Sequence, residues 1–234
     1  IQGQGAESTI IQAAVSEGTA DRGVFTISAG YTVIINDVTI RYGRKTSYPY
    51  YGGGVYNLGI LTVNRCSVSN NYVAYSTSGY GGGIANSKTL TINDSTVNNN
   101  FAYSQGGGIV NSYLADGSNV AYITHTTIAF NSTQATVATV GGAGFYIRSG
   151  TGYVTNSTIA FNDAPDGTGD TTGIDVVSGS TLNIKNSIVA YNEVGGNNVN
   201  YASGNFFDIT NSGTLNDNGG NIFGKVNTAY NGVS

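Results

Sequence analysis

Two stretches of this chain contain nearly the same twenty residues, GGGVYNLGILTVNRCSVSNN at 52–71 and GGGIANSKTLTINDSTVNNN at 81–100. Segments similar to TINDSTVNNN recur along the whole chain in one internal register, and two positions of this repeat, five residues apart, always carry a β-branched residue. The first position is Ile35, Val63, Ile92, Ile123, Val154 and Ile184, and the second is Ile40, Val68, Val97, Ile128, Ile159 and Val189. Neighbouring members of the second series are 28 to 31 residues apart, a period that indicates a solenoid or a propeller.

The content of the repeat decides between these architectures. Each unit contains short β-branched runs separated by Gly, Asn and Ser, with no helical periodicity, which excludes a helical solenoid. Propeller blades are longer and end in signatures that this chain lacks. The sequence therefore predicts an all-β fold, a parallel β-helix of roughly seven coils in which equivalent residues stack about 4.8 Å apart. We predict one such domain over residues 1–234, and the start IQGQG suggests a piece of a longer chain.

Asparagines and glycines recur at fixed places in the repeat. Eight residues after the first β-branched position stand Gly43, Asn71, Asn100, Asn131, Asn162 and Asn192. Asn tolerates left-handed backbone angles, and stacked side-chain amides can bond to the coils above and below. We therefore expect an asparagine ladder. The glycine clusters at 52–54, 81–83, 106–108 and 141–142 precede strands, where a tight turn needs positive φ or a close approach of coils.

Composition and charge narrow the class of protein. The chain has 9% charged residues, a formal net charge of −4 and one cysteine, which is typical of a β-rich extracellular protein and not of a nucleic-acid binder. No run of eighteen apolar residues is present, so we predict no transmembrane helix. Cys66 occupies a position where the other coils have Val38 or a Ser or Thr, all small, which indicates a small filler and not a reactive thiol. We predict a secreted or cell-surface location.

The units GGGVYNLGILTVNRCSVSNN, GGGIANSKTLTINDSTVNNN and GGGIVN resemble the right-handed parallel β-helix repeats of secreted and surface-anchored bacterial proteins. These repeats belong to a pectate-lyase-like superfamily that includes adhesins and polymorphic outer-membrane proteins. The opening IQGQGAESTII and the segment GGNIFG at 219–224 resemble the ends of such domains. The resemblance implies a right-handed coil and extracellular work on or near glycans, by catalytic or non-catalytic members.

The ionisable residues favour a non-catalytic protein. Lyases of this fold use calcium held by clustered carboxylates with an Arg or Lys base, and hydrolases use groups of Asp. One repeat position carries Asp37, Arg65, Asp94, His125, Asn156 and Asn186, a mixture that indicates an exposed turn. The leading prediction is therefore a structural or adhesive module. The alternative is a polysaccharide-active enzyme, lyase or hydrolase, or its carbohydrate-binding module.

Tyrosines are concentrated in the loops before the glycine triplets, and stacking of the coils places these loops on one flank. Each ring offers apolar area with a polar tip, which suits sugar stacking or protein adhesion, while mutual packing of the rings is an equal alternative. The predicted binding residues are Tyr48, Tyr50, Tyr51, Tyr72, Tyr75, Tyr80 and Tyr103, with the outward pair Tyr122 and Tyr153. The predicted partners are a glycan or a surface protein of a host or neighbouring cell.

One loop is rich in carboxylates. The segment NDAPDGTGDTTGID at 162–175 contains Asp163, Asp166, Asp170 and Asp175. Calcium favours several oxygen ligands from a flexible loop, so these residues form a candidate calcium site, with a solvated acidic loop as the alternative. No other cofactor is predicted. Unpaired strand edges at the two ends of a β-helix also predict end-to-end self-association.

Overall fold

The computed structural model describes residues 1–74, 79–111, 118–134, 141–164, 171–194 and 207–227. Within these ranges all regular structure is β-strand, and the strands form four sheets, which we call A, B, C and D. Neighbouring strands are parallel in each sheet, for example β7 with β11 in sheet A and β8 with β12 in sheet B. The predicted all-β parallel β-helix is confirmed.

The strand bounds of the first two sheets are as follows. Sheet A contains β3 (Thr32–Asn36), β7 (Ile60–Asn64), β11 (Thr89–Asn93), β15 (Val120–Thr124), β19 (Thr151–Thr155), β23 (Thr181–Lys185) and β27 (Thr214–Asp217). Sheet B contains β1 (Ile10–Gln12), β4 (Thr39–Arg41), β8 (Ser67–Ser69), β12 (Thr96–Asn98), β16 (Thr127–Ala129), β20 (Thr158–Ala160), β24 (Ile188–Ala190) and β28 (Ile222–Phe223).

The strand bounds of the other two sheets are as follows. Sheet C contains β2 (Phe25–Ile27), β6 (Val55–Asn57), β10 (Ile84–Asn86), β14 (Ile109–Asn111), β18 (Phe145–Ile147), β22 (Thr171–Val176), β26 (Phe207–Asn211) and β29 (Val226–Asn227). Sheet D contains β5 (Arg44–Lys45), β9 (Tyr72–Val73), β13 (Phe101–Ala102), β17 (Ser132–Thr133), β21 (Asp163–Ala164) and β25 (Glu193–Val194).

The chain visits sheets C, A, B and D in that order and then repeats. Strands β2 to β25 form six complete turns, β26 to β28 pass once more through sheets C, A and B, and β29 returns to sheet C; this last part has no described strand in sheet D. This number agrees with the roughly seven coils expected from a chain of this length and period. The right-handed sense of the coil stays a prediction.

The two β-branched positions of the repeat form the core. All twelve of their side chains, represented by Ile92 and Val97 in the third coil, are fully buried. They share one continuous apolar cluster with the first inward residues of the sheet C strands, such as Ile109 and Phe145. Since burying one such side chain stabilises a fold by about 1.5 to 3 kcal/mol, the repeat carries its own stabilisation in every coil.

The asparagine ladder is present between sheets B and D. The Asn131 amide nitrogen donates to Oδ1 of Asn162 at 2.9 Å and to the Val97 carbonyl at 2.9 Å. Its Oδ1 accepts hydrogen bonds from the backbone nitrogen and Nδ2 of Asn100, at 3.1 and 3.0 Å. The same pattern joins Asn71 to Asn100 and Asn162 to Asn192. All of these side chains are buried, so each amide is paired where water is excluded.

The prediction that the ladder asparagines themselves have a left-handed backbone is wrong. The residue with the left-handed backbone is the one that precedes each ladder asparagine, not the asparagine itself. These positive-φ residues are Tyr42, Asn70, Asn99, Phe130, Phe161 and Tyr191. The chain reverses at this exposed position so that the next side chain enters the space between coils, where its amide can reach both neighbours.

A carboxylate closes the ladder in the last coil. Gly54, Gly83 and Gly108 stand directly before the first inward residue of a sheet C strand and leave room for a ladder amide. Asp208 takes this place in β26, and its Oδ1 accepts hydrogen bonds from the backbone nitrogen and Nδ2 of Asn192, at 2.9 and 2.8 Å. Its Oδ2 accepts from the Lys225 nitrogen at 2.7 Å. Burial raises the pKa of Asp208, and the carboxylate substitutes for the next asparagine.

The first coil is partly covered by the start of the chain. The Gly3 nitrogen donates to the Asn36 carbonyl at 2.9 Å, and the Asn36 nitrogen donates to the Ile1 carbonyl at 3.0 Å. These bonds satisfy part of the edge of sheet A that would otherwise face solvent. End-to-end self-association stays a prediction.

Candidate functional site

The residues directly before the glycine triplets lie side by side on the outer face of sheet C. Tyr51, Tyr80 and Gln105 form successive parallel bridges, as the expected common flank requires. The Tyr51 ring stacks between the rings of Tyr56 and Tyr80, with centroid distances of 5.5 and 5.4 Å. The Arg148 guanidinium lies 5.1 Å from the Tyr80 ring centroid. In this first stack, side chains of the protein occupy most ring faces, as mutual packing predicts.

A second aromatic stack lies on the outer face of sheet D. The rings of Tyr72 and Phe101 are parallel, with centroids 4.5 Å apart, and Arg44 lies 5.6 Å from the Tyr72 centroid. Tyr103 meets Phe101 edge to face at 6.2 Å. Partial burial raises the pKa of Tyr72, so its hydroxyl stays neutral at physiological pH.

The loop at the start of the flank presents the most accessible ring. Tyr48 is 82% exposed and contacts Tyr50 edge to face at a centroid distance of 6.1 Å. Its ring is therefore open to a partner, whereas Tyr51 is held in the first stack. Tyr75 lies outside the described residues.

Tyr122 and Tyr153 lie on a different surface, the outer face of sheet A. They occupy equivalent positions of β15 and β19, and their rings stack at 5.0 Å. Both side chains are exposed, as the sequence predicted for an outward position. The nine tyrosines named as binding residues thus do not form one site, and their role in binding stays a prediction.

Sequence reasoning missed a polar pair beside the first stack. Tyr146 and Asp175 are neighbours in register on β18 and β22, and a Cβ at Gly141 would collide with both side chains. Burial, aided by the Asp175 charge, raises the pKa of Tyr146 to about 12. Burial alone raises the pKa of Asp175 from 3.8 to about 7. The sequence signal for this pair was weak because the two residues are separated by a whole coil and belong to no shared motif.

The structure separates two members of the proposed calcium site. Asp163 lies on β21 in sheet D, whereas Asp175 lies on β22 in sheet C. Asp166 and Asp170 lie outside the described residues. Among the described residues, no three His, Cys, Asp or Glu side chains lie close enough together to hold a metal ion. Calcium binding by the segment 162–175 stays a prediction.

Replacing Asp175 by Asn should stabilise the protein at high pH only. Ionisation of Asp175 occurs near pH 3.8 in the unfolded chain and near pH 7 in the fold, so stability falls as pH rises through this window. A three-unit shift corresponds to about 4 kcal/mol, and partial solvent access reduces it to about 2 kcal/mol. Urea denaturation should show that the variant is more stable than the wild type by this amount at pH 8 and no more stable at pH 3. A constant difference at both pH values would contradict the assignment.

The mixed-charge position of the repeat forms an exposed turn between sheets A and B, as predicted. Asp37, Arg65, Asp94 and His125 stand there in successive coils, all with positive φ. Arg65 donates to both Asp37 carboxylate oxygens, at 2.8 and 2.7 Å, and these bonds, with one from Gln2, lower the pKa of Asp37 to about 2. The His125 Nδ1 lies 3.8 Å from an Asp94 carboxylate oxygen.

These turns form one wall of a cleft on the outer face of sheet B. The cleft has a volume of about 670 Å³, and Ala6 and Glu7 from the start of the chain also line it. Hydroxyl-bearing side chains from neighbouring strands, including Thr96 and Thr127, line its floor. The cleft therefore offers a row of hydrogen-bonding groups parallel to the solenoid axis.

Cys66 replaces serine in a buried hydrogen-bonded row. Its backbone nitrogen donates to Oγ of Ser95 at 3.0 Å, and its thiol lies 3.1 Å from the Asn64 carbonyl. Ser95 makes the equivalent bond to the Asn93 carbonyl at 2.7 Å. Burial raises the pKa of Cys66, which keeps the thiol protonated and poorly nucleophilic.

Comparison with known proteins identifies no relative of this chain. No protein-family model, curated protein or solved structure matches this chain. In the described part of the chain, no helix has the length and apolar character needed to cross a bilayer. The parallel β-helix with its asparagine ladder is thus established by its own geometry, and membership of a pectate-lyase-like superfamily stays a prediction.

Proposed function

We propose that this chain is a secreted or cell-surface, non-catalytic module that adheres to a glycan or to a partner protein through its tyrosine flank. The tyrosine flank comprises Tyr48, Tyr50, Tyr51, Tyr72, Tyr80 and Tyr103. The observation that carries the proposal is the pair of aromatic stacks, which orders the rings of Tyr51, Tyr80, Tyr72 and Phe101 while the Tyr48 ring stays exposed.

A fixed aromatic surface suits adhesion for an energetic reason. Binding orders side chains and loops, and each rotamer-rich side chain immobilised at an interface costs about 0.5 to 1.5 kcal/mol. The stacks of Tyr51 with Tyr80 and of Tyr72 with Phe101 supply this order before a partner arrives. Tyr also offers apolar area and a hydroxyl at low entropic cost, which explains its value at contact surfaces.

The double change Tyr48→Ala and Tyr103→Ala tests this surface. If each ring contributes about 1 kcal/mol to the contact, affinity for the wild-type ligand should fall about thirtyfold. The melting temperature should change little, because neither ring lies in the solenoid core. Tyr31→Ala, at an exposed tyrosine that makes no part of the flank, is the control. Equal binding by both variants on a glycan array and on whole cells would place the contact elsewhere.

A polysaccharide lyase or hydrolase is the second candidate function. Asp175 favours it, since a carboxyl whose pKa is about 7 can donate a proton at neutral pH. Tyr146 beside it adds a phenol, and Arg148, which directly follows β18, adds a cation close enough to act on the Tyr146 hydroxyl. Release of reducing ends or unsaturated products by the wild type, lost in Asp175→Asn, would favour this enzyme over the adhesive module.

A further inference from the structure

Three aromatic side chains form an exposed ridge at the turn between sheets B and D. Phe130, Phe161 and Tyr191, which we call the ridge, occupy equivalent positions in three successive coils. Their rings stack with centroid distances of 5.4 and 5.8 Å, and the side chains are 58%, 49% and 59% exposed. The backbone bonds from Phe130 to Phe161 and from Phe161 to Tyr191, each 3.0 Å, hold the turns in register.

The ridge by itself lowers the stability of the fold. All three residues have φ between 56° and 58°, a left-handed backbone that bulky side chains rarely adopt. Asn70 and Asn99 fill the same position in two earlier coils, with φ of 54° and 53°, and Asn adopts this conformation readily. The ridge therefore combines backbone strain with exposed apolar area, a combination that indicates an interaction surface.

Polar groups face the ridge across the outer surface of sheet B. The floor between them consists of side chains of β16, β20 and β24. Ala129, Ala160 and Ala190 lie beside the ridge, and Thr127, Thr158 and the exposed Ile188 lie further away. The opposite wall is the turn that carries His125, Asn156 and Asn186, all three exposed. Asn156 Nδ2 lies 3.0 Å from Nε2 of His125, so this wall also has a defined arrangement.

We infer that this trough, with the ridge as one wall, binds a neutral oligosaccharide that lies along the solenoid axis. The apolar C–H side of a sugar ring packs against exposed aromatic surface, and its hydroxyls pair with the amides and hydroxyls opposite. No Asp, Glu, Lys or Arg belongs to the ridge, the floor or the opposite wall as defined here, so the ligand carries no required charge. The inference rests on the proposed function, for which it names a ligand class and a second contact surface.

The repeat favours a polymer over a compact ligand. An aromatic ring on one wall and an amide or imidazole on the other recur in each of the three coils at the strand spacing of about 4.8 Å, as equivalent groups do in a chain of repeated sugar units. Thr127 and His125 also line the 670 Å³ cleft on the same face, but Glu7, Arg65 and Asp94 line that cleft too, so the uncharged trough ends at the coil of His125. A protein partner would need a broad apolar surface, whereas here a single row of rings faces amides and hydroxyls.

The double change Phe130→Asn and Phe161→Asn tests the inference. Affinity electrophoresis in gels that contain xylan, mixed-linkage β-glucan, glucomannan or dextran should retard the wild type in at least one gel. For that polysaccharide, the variant's dissociation constant should be at least about tenfold higher. Its melting temperature should be equal or higher, because Asn relieves the left-handed strain. Tyr31→Asn, which changes an exposed aromatic residue outside the trough, is the matched control.

The outcomes separate this inference from the proposed function. If the wild type and the control are retained and the Phe variant is not, the trough is supported as the binding site. If the Tyr48→Ala, Tyr103→Ala variant loses retention and the Phe variant keeps it, the trough is not the binding site, and the proposed function still holds. Absence of retention in all four neutral gels would contradict the inference. It would also be contradicted if analytical ultracentrifugation showed that the wild type is a dimer and that the Phe variant is not. Binding to cells through the tyrosine flank would still support the proposed function in either case.

Discussion

Replacing Asn131 by Leu should destabilise the protein by about 4 kcal/mol. Leucine has the same branched heavy-atom skeleton, but it removes the acceptor of two Asn100 hydrogen bonds and the donor to the Val97 carbonyl. Each polar group left unpaired where water is excluded costs about 1 to 3 kcal/mol. Urea denaturation, followed by far-UV circular dichroism and by tyrosine fluorescence, would measure the loss.

Asn93→Leu is the matched control for this change. Asn93 also belongs to a row of stacked asparagines, with its Nδ2 donating to Oδ1 of Asn64 at 3.0 Å, but this row lies on the outer face of sheet A and is only partly buried. Water can replace the lost bond there, so we expect a loss below about 1 kcal/mol. Equal losses for the two variants would show that burial of the ladder is not what gives Asn131 its importance.

Replacing Gly108 by Ala should cost about 3 kcal/mol. A Cβ at this position would lie 2.6 Å from the Gly144 carbonyl oxygen and 3.0 Å from Nδ2 of Asn131. The first contact is with the backbone of the next coil, and the second is with a ladder amide, so neither can move without breaking paired groups. Overpacking of this kind typically costs 1 to 3 kcal/mol, and the clash with backbone places Gly108 at the upper end. Thermal and urea unfolding would measure the loss.

Gly179→Ala separates the clash from the general effect of adding a methyl group. Gly179 has φ of 84°, and a Cβ there would meet no atom within 4 Å. The substitution therefore costs only the left-handed strain, about 1 kcal/mol. If both variants lost the same stability, close approach of the coils at Gly108 would not be the reason for its glycine.

The sequence was sufficient for the core because a β-helix repeats its inward positions. Ile92 and Val97 are buried for the same reason as their counterparts in every other coil, so a single alignment of the repeat predicted both rows. The ladder position was predicted in the same way. The conformational reason was assigned to the wrong residue, since the alignment shows which residues are equivalent and not which one reverses the chain.

A second buried asparagine row shows what the alignment could have yielded. Asn57 donates to Asn86 at 2.8 Å and Asn86 to Asn111 at 2.7 Å, at the ends of three successive sheet C strands. The segments GGGVYN, GGGIAN and GGGIVN carried this signal. The row was missed because it spans only three coils and then gives way to Ile147.

The candidate sites were harder to predict because they depend on loops and on pairs across coils. The common flank of the tyrosine loops followed from stacking, but the division of their rings into two stacks required coordinates. The partnership of Tyr146 with Asp175 joins residues 29 positions apart in different repeats. The ridge was not predicted, because Phe130 and Phe161 directly precede ladder asparagines and this part of the repeat was interpreted only as a structural turn.

The measurement that tests the central claim most directly is retention of the wild type by glycans, with detection of products in the same samples. Immobilised polysaccharides and fixed cells would be incubated with the protein, and bound protein, new reducing ends and unsaturated sugars would be measured together. A non-catalytic adhesive solenoid predicts saturable retention with no products. Product release, or absence of retention on every glycan and every cell surface, would contradict it.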